Sequence, residues 1–449
     1  MKSLCVVRLM AIVLLGAGLC LLFVPAPYAR AATGPYLVRA FNAFPSSLTN
    51  VNGTLFFVAD DGVHGSELWA SDGTPGGTRM VKDIHPSASS SPNDLTNVNG
   101  TLFFAADDGV HGGELWKSDG TLKGTVMIKD VNLIGESGLG WFTNVNGILY
   151  VAAKDRTHGY ELWRSNGTRK GTRLVKDINP SGGSFPLELT NVNGILFFTV
   201  QNRAYGTELW QSDGTANGTV KVKDPNPSGD SLVYYLTNVN GTLYFQATDG
   251  THGHELWKSD GTPNGTVMVR DINPSGESRP ELLTSVGKLL FFEANDRAHR
   301  RELWKSDGTA QGTVLVKDIN PSGNSELANL TNLQGRLFFS ATDGVNGTRL
   351  WQSDGTKKGT AVVQGTTSTP SNPSHLAGVN GTLFFSASDE NHDYELWQSD
   401  GTADGTFMVA NINPSDGSYP YGLTNVNGTL FFAADDGVNG NAALWAYKP

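Results

Sequence analysis

The string LTNVNGTLFF occupies residues 48–57 and returns almost letter for letter at 95–104, 236–245 and 423–432. A catalytic constellation is needed once in a chain, so a recurring ten-residue string encodes architecture. Two apolar runs, LTNV and TLFF, are joined by Asn52-Gly53. An Asn-Gly pair between such runs predicts a two-residue hairpin, because both residues tolerate positive φ. At the corresponding place Gly287-Lys288 puts Gly first, which suits the other common hairpin turn.

Reading outward, DGVHG leads into ELWASD, GTPGGT turns the chain into RMVKDI, and NPSG-like segments close many units. Tryptophan recurs at Trp69, Trp116, Trp163, Trp210, Trp257, Trp304, Trp351, Trp397 and Trp445, in six steps of 47 followed by 46 and 48. Four short strands in 47 residues match the blade of a β-propeller. In TLFFVA, Leu55 and Phe57 fall on one face and Phe56 and Val58 on the other. Such a sheet needs a neighbour on both sides, and radial stacking supplies one.

The expected fold is therefore all-β, a propeller of nine four-stranded blades. LTNV is innermost, TLFF second, ELW third and VKDI outermost. YLVRAF at 36–41 reads as a fourth strand with nothing before it, and ALWAYKP at the other end stops after a third strand. Pairing the two closes the ring and hides two edges. Nine blades about 10 Å apart leave a channel of about 30 Å. Two smaller rings and an open β-solenoid are the alternatives.

Residues 1–31 read as a secretory signal: Lys2 and Arg8, an apolar run from Leu9 to Val24, and Ala29-Arg30-Ala31 as the cleavage site. Leu19 before Cys20 argues against a lipid anchor. Both cysteines, Cys5 and Cys20, lie in this leader, so residues 32–449 form one repeat domain without a disulfide. Removing Lys2, Arg8 and Arg30 from 33 basic residues leaves 30 against 43 acidic ones, a net charge near −13. That charge disfavours nucleic acid and anionic lipid. The expectation is a secreted or cell-surface monomer, with no membrane span once the signal is cleaved.

The strings ELWASDGT, ELWKSDGT and ELWQSDGT resemble the bacterial ELWxxDGT repeat family. They recur at Glu67, Glu114, Glu161, Glu208, Glu255, Glu302 and Glu395, with Arg349 replacing Glu in TRLWQSDGT. The resemblance implies a secreted or cell-surface propeller-like repeat protein and supplies no catalytic residue. Glu67 and Lys82 fall on adjacent strands and change together in unit seven, to Arg349 and Gln364, which predicts a cross-strand ion pair.

For binding, the loops between second and third strands carry His64, His111, His158, Tyr205, His252, His299, Asn346, His392 and Asn439. One face of a propeller would gather them into a rim suited to a glycan or an extracellular protein. The Asp residues of the S-D-G-T turns, such as Asp72, invite calcium, but one carboxylate per turn is too few ligands, and bonds to nearby backbone N–H groups account for them. No cofactor is expected. An enzyme needs unlike groups at one point, whereas these are like groups spread around a ring. The reading is a non-catalytic binding or adhesion scaffold. The alternatives are a structural envelope component and a hydrolase or lyase on a propeller scaffold.

Overall fold

The computed structural model describes residues 34–202, 206–365, 368–438 and 442–449. The leader with its Ala29-Arg30-Ala31 site, and the loop residues Tyr205 and Asn439, lie outside the described residues. Among those described, the elements are thirty-six β-strands, and no helix is long and apolar enough to cross a membrane. Seven sheets are four-stranded and one is eight-stranded, all antiparallel. This is the all-β architecture of a β-propeller.

Each unit has a leading, second, third and trailing strand; in unit one these are Ala43–Val51, Thr54–Asp60, Ser66–Ser71 and Arg79–Lys82. The hairpin between the first two forms as the sequence dictates. Asn52 and Gly53 take φ of 49° and 84°, and the Gly53 N–H donates to Asn50 Oδ1 at 2.9 Å. The third and trailing strands are joined by a turn closed from within. Asp72 Oδ1 accepts from the backbone N–H and hydroxyl of Thr74, and Ser71 Oγ meets Thr78 Oγ1 at 2.7 Å. A methyl group added at Gly124 would sit 2.0 Å from Asp119 Oδ1, which explains a glycine before the closing threonine of the turn.

Both faces of every sheet are buried. Leu55 and Phe57 are fully buried in a cluster with Val426, Phe431 and Leu444 of the last unit. Phe56 and Leu68 pack with Leu102, Phe104 and Trp116 of the second. The core thus lies between sheets. Seven of the nine periodic tryptophans are buried and Trp210 and Trp445 are partly so.

The expected Glu–Lys ion pair is corrected. Lys82 reaches forward into the next unit, where Nζ donates to Thr125 O at 3.1 Å and stands 5.3 Å from the Trp116 ring centre. Glu67, fully buried, accepts instead from the N–H groups of Ile84 and Ser90, both at 3.0 Å, and from Ser90 Oγ at 2.6 Å. A buried carboxylate needs several donors, and the connection to the next leading strand offers them. Unit four tests the logic: Pro225 stands where Ile84 would donate and has no N–H, and Glu208 takes Lys221 Nζ at 3.0 Å. In unit seven Arg349 donates to Asn346 O, Thr369 O and Ser371 Oγ, and Arg349 pairs with Ser371, joining two quartets into the eight-stranded sheet.

At the chain ends, Tyr36–Ala40 pairs antiparallel with Ala443–Tyr447, Leu37 opposite Trp445. Phe41 N–H donates to Ala442 O at 2.8 Å, and Asn50 Nδ2 donates to Asn425 O at 3.0 Å. Val38 and Phe41 are buried there, worth about 1.5–3 kcal/mol apiece.

Two outcomes follow. Deleting residues 34–41 uncovers the edge of Ala443–Tyr447, so the melting temperature drops and light scattering detects association; a monomer with the parent's melting temperature contradicts this. Burial pushes Glu67, Glu161 and Glu395 up, and Glu114, Glu255 and Glu302 up to about 7, against their hydrogen bonds. The fold therefore holds protons that the unfolded chain releases near 4.5. That stability is full below this value and is lost as pH rises through about 7. Asp72, held low by Thr74, acts oppositely, but only below pH 4. Calorimetry should find the melting temperature falling from pH 5 to 8, less steeply in Glu114→Gln; a rise over that range contradicts the assignment.

Candidate active site

The leading strands pack against one another in succession, and that of unit one packs against Tyr421–Val426 of the last. Each carries the same bulge. In unit two Asn93 faces Ala105 and Thr96 faces Phe103, so Asp94 and Leu95 oppose Phe104 alone. The first bulged residue takes a left-handed backbone in every unit: Ser47, Asp94, Trp141, Glu188, Tyr235, Leu282, Asn329, His375 and Gly422, with φ between 45° and 65°. For most of these residues that conformation costs about 1–2 kcal/mol. Asn, Asp or Gly would bear it best, yet the chain places Trp, Glu, Tyr and Leu there. The backbone is repeated and the side chains are not.

Five successive leading strands line an open hollow of about 610 Å³, with Trp141, Glu188, Thr190, Tyr235, Thr237 and Leu282 on its wall. Trp141 is 47% exposed and Tyr235 43%. Glu188 Oε2 accepts from the Leu236 N–H at 2.9 Å, but burial outweighs this bond and pushes the carboxyl up. Asp94, one unit before Trp141, is open at its surface, and the protein around it displaces enough water to raise its carboxyl too. Tyr235 is raised by burial and then by Glu281 and Glu188. Beside it Arg301 bridges Glu281 at 2.7 Å and Glu293 at 2.5 Å, so this cation is already neutralised. A second aromatic group is built on His375, Tyr421 and Phe44. Their rings lie 6.2 and 5.6 Å from Tyr421, whose hydroxyl burial pushes up to about 12. A carboxyl biased toward protonation beside exposed aromatic residues, as Glu188 is beside Trp141 and Tyr235, is equipped for proton transfer.

The loop residues expected to bind are held within their own loops. His64 Nδ1 bonds Asp61 Oδ2 at 2.9 Å, and Asp61 Oδ1 accepts the N–H groups of Val63 and His64. His111, His158, His252, His299 and His392 repeat the pairing with Asp108, Asp155, Asp249, Asp296 and Asp389, and Asn346 donates to Asp343. Hydrogen bonding to Asp61 holds the His64 imidazole above its ordinary value. Among the described residues, no three His, Asp or Glu side chains are grouped to hold a metal ion. The series of bulges escaped the sequence reading, although its signal is there: the residue immediately before each LTNV-like string differs in every unit.

No protein-family model and no curated protein matches the chain. Among solved structures it is similar to a puromycin hydrolase (12% identity, TM-score 0.43, covering 89% of this chain and 61% of that one). It is also similar to a chain from a study of two prolyl endopeptidases (13%, 0.47, 88% and 55%) and to prolyl oligopeptidase B from Galerina marginata (13%, 0.43, 78% and 55%). The chain thus spans less than two thirds of the length of these proteins, and at such TM-scores the likeness assigns it no activity. The expectations of a non-catalytic scaffold and of no enzyme are corrected. Both expectations rested on like groups spread apart, whereas Trp141, Glu188 and Tyr235 share one hollow of the leading strands.

Burial raises the Glu188 carboxyl, so its charge opposes folding, and Glu188→Gln should gain melting temperature relative to the parent as pH rises from 4 to 8. A lower melting temperature at pH 8 would mean that the carboxylate is structural.

Proposed function

We propose that the units close into one nine-bladed ring and that the chain is a hydrolase with its site on the channel wall. The pairing of Tyr36–Ala40 with Ala443–Tyr447, the bond from Asn50 to Asn425 and the core shared by first and last units support closure. The observation that carries the activity is the bulge ring: one strained backbone position, repeated in every unit, holding unlike groups.

In this reading Glu188 is the proton donor. Burial keeps its carboxyl protonated at higher pH than usual, so it can give a proton to the leaving atom of the bond being cleaved. The attacking water releases its proton to solvent. The sum is addition of water across one bond, with Glu188 returned to its protonated state by solvent exchange. Trp141, on the same wall, offers a face to hold the substrate.

The test is hydrolysis of a panel of chromogenic glycosides, esters and peptides by residues 32–449. Turnover of one class is expected, lowered 10²–10⁴-fold by Glu188→Gln. In the parent, kcat should fall as pH rises through the raised Glu188 value. Full activity in Glu188→Gln, or no turnover of any class, contradicts the proposal.

A further inference from the structure

The hollow at Glu188 also restricts what can enter it. Its wall contains no Lys, Arg or His, so nothing there compensates a phosphate, sulfate or carboxylate on a ligand. Trp141 and Tyr235 present half-open aromatic faces from two leading strands, with Leu282 beyond them. Thr190, Thr237 and Thr284 stand on the same wall, one on each of three successive leading strands. Their hydroxyl protons are committed to the carbonyls of Glu188, Tyr235 and Leu282 at 2.9, 3.1 and 2.9 Å. Each hydroxyl oxygen therefore turns its remaining acceptor capacity outward. An aromatic face with acceptors at its edge complements a sugar ring, which is apolar across its C–H face and rimmed with O–H donors.

The backbone here is closed to a competing class of ligand. An extended peptide binds a strand edge through free N–H and C=O groups. On this surface the Leu236 N–H is taken by Glu188. The Leu189 carbonyl accepts from Thr143, and the carbonyls of Asn144 and Asn191 accept from Asn191 and Asn238 of the following units. Side chains of neighbouring units have already filled the places a peptide would occupy.

We infer that the substrate of this site is a neutral oligosaccharide, stacked on Trp141 and Tyr235 and hydrogen-bonded along Thr190, Thr237 and Thr284. The inference rests on the hydrolytic reading of the same surface but is separable from it by measuring binding without turnover. The protein is Glu188→Gln in residues 32–449, and the probes are four- to eight-residue β-glucan, α-glucan, mannan and chitin oligosaccharides, a hexauronate and a proline-containing octapeptide.

Calorimetry and tryptophan fluorescence should find saturable binding of at least one neutral oligosaccharide and none of the hexauronate. Adding Trp141→Ala should weaken that binding at least tenfold while the melting curve stays in place. Trp141→Phe should restore most of it, which a merely structural role for Trp141 would not produce. Binding of the peptide alone, of the hexauronate in preference, of no probe, or undiminished binding after Trp141→Ala overturns the inference. Binding of a neutral oligosaccharide that the parent protein does not cleave leaves the ligand class standing and removes the hydrolytic reading instead.

Discussion

A sheet that is apolar on both faces cannot stand alone, and the rest of this structure follows from that. Leu55 with Phe57 on one side and Phe56 with Leu68 on the other belong to two separate clusters, each shared with a different neighbouring unit. A fully buried aromatic side chain removes 150–250 Å² from water, about 4–6 kcal/mol as an upper figure. Repeating such burial in every unit gives a rigid scaffold with no cysteine among the described residues. The stacking leaves the leading strands side by side along one surface.

Polar groups reinforce the stacking in one direction around the chain. Lys82, Lys129, Lys176 and Lys317 each reach a threonine carbonyl 43 residues on and lie near a tryptophan ring of the next unit. The buried glutamates hold the connection that delivers the chain to that unit. These two devices replace the single ion pair that adjacent strands suggested, because full burial of Glu67 leaves no room for a partner that reaches elsewhere. A burial-raised carboxyl in most units makes the fold more stable in mild acid than in mild base.

The repeat, the Asn-Gly hairpins, the two-faced sheets and the pairing of the chain ends were legible from residue types and spacing alone. Hairpin chemistry and apolar alternation act locally, and each unit restates them. The destination of Lys82 was not legible, since it depends on how far one sheet is displaced from the next. Histidine recurs in the loops between second and third strands, and what its recurrence did not print is that Asp61 and its counterparts bond both the backbone and the imidazole Nδ1. The bulge was invisible because an extra residue in LTNV changes no letter of the pattern. What the sequence does print is its variability, Ser47, Asp94, Trp141, Glu188, Tyr235, Leu282, Asn329, His375 and Gly422 before near-constant strings. In a chain built from copies, positions that are not copied, these bulges among them, are the ones to suspect of chemistry.

That separation of scaffold from chemistry can be tested in one molecule. Replacing Asp94, Trp141, Glu188, Tyr235, Leu282 and His375 together by Asn puts the residue that best tolerates a left-handed backbone at six bulges without touching a buried core position. The measurement is thermal melting with hydrolytic activity on the same sample. The account predicts a cooperative melt at or above the parent's temperature and no activity. A variant that fails to fold, or one that folds and turns over substrate as the parent does, would contradict it.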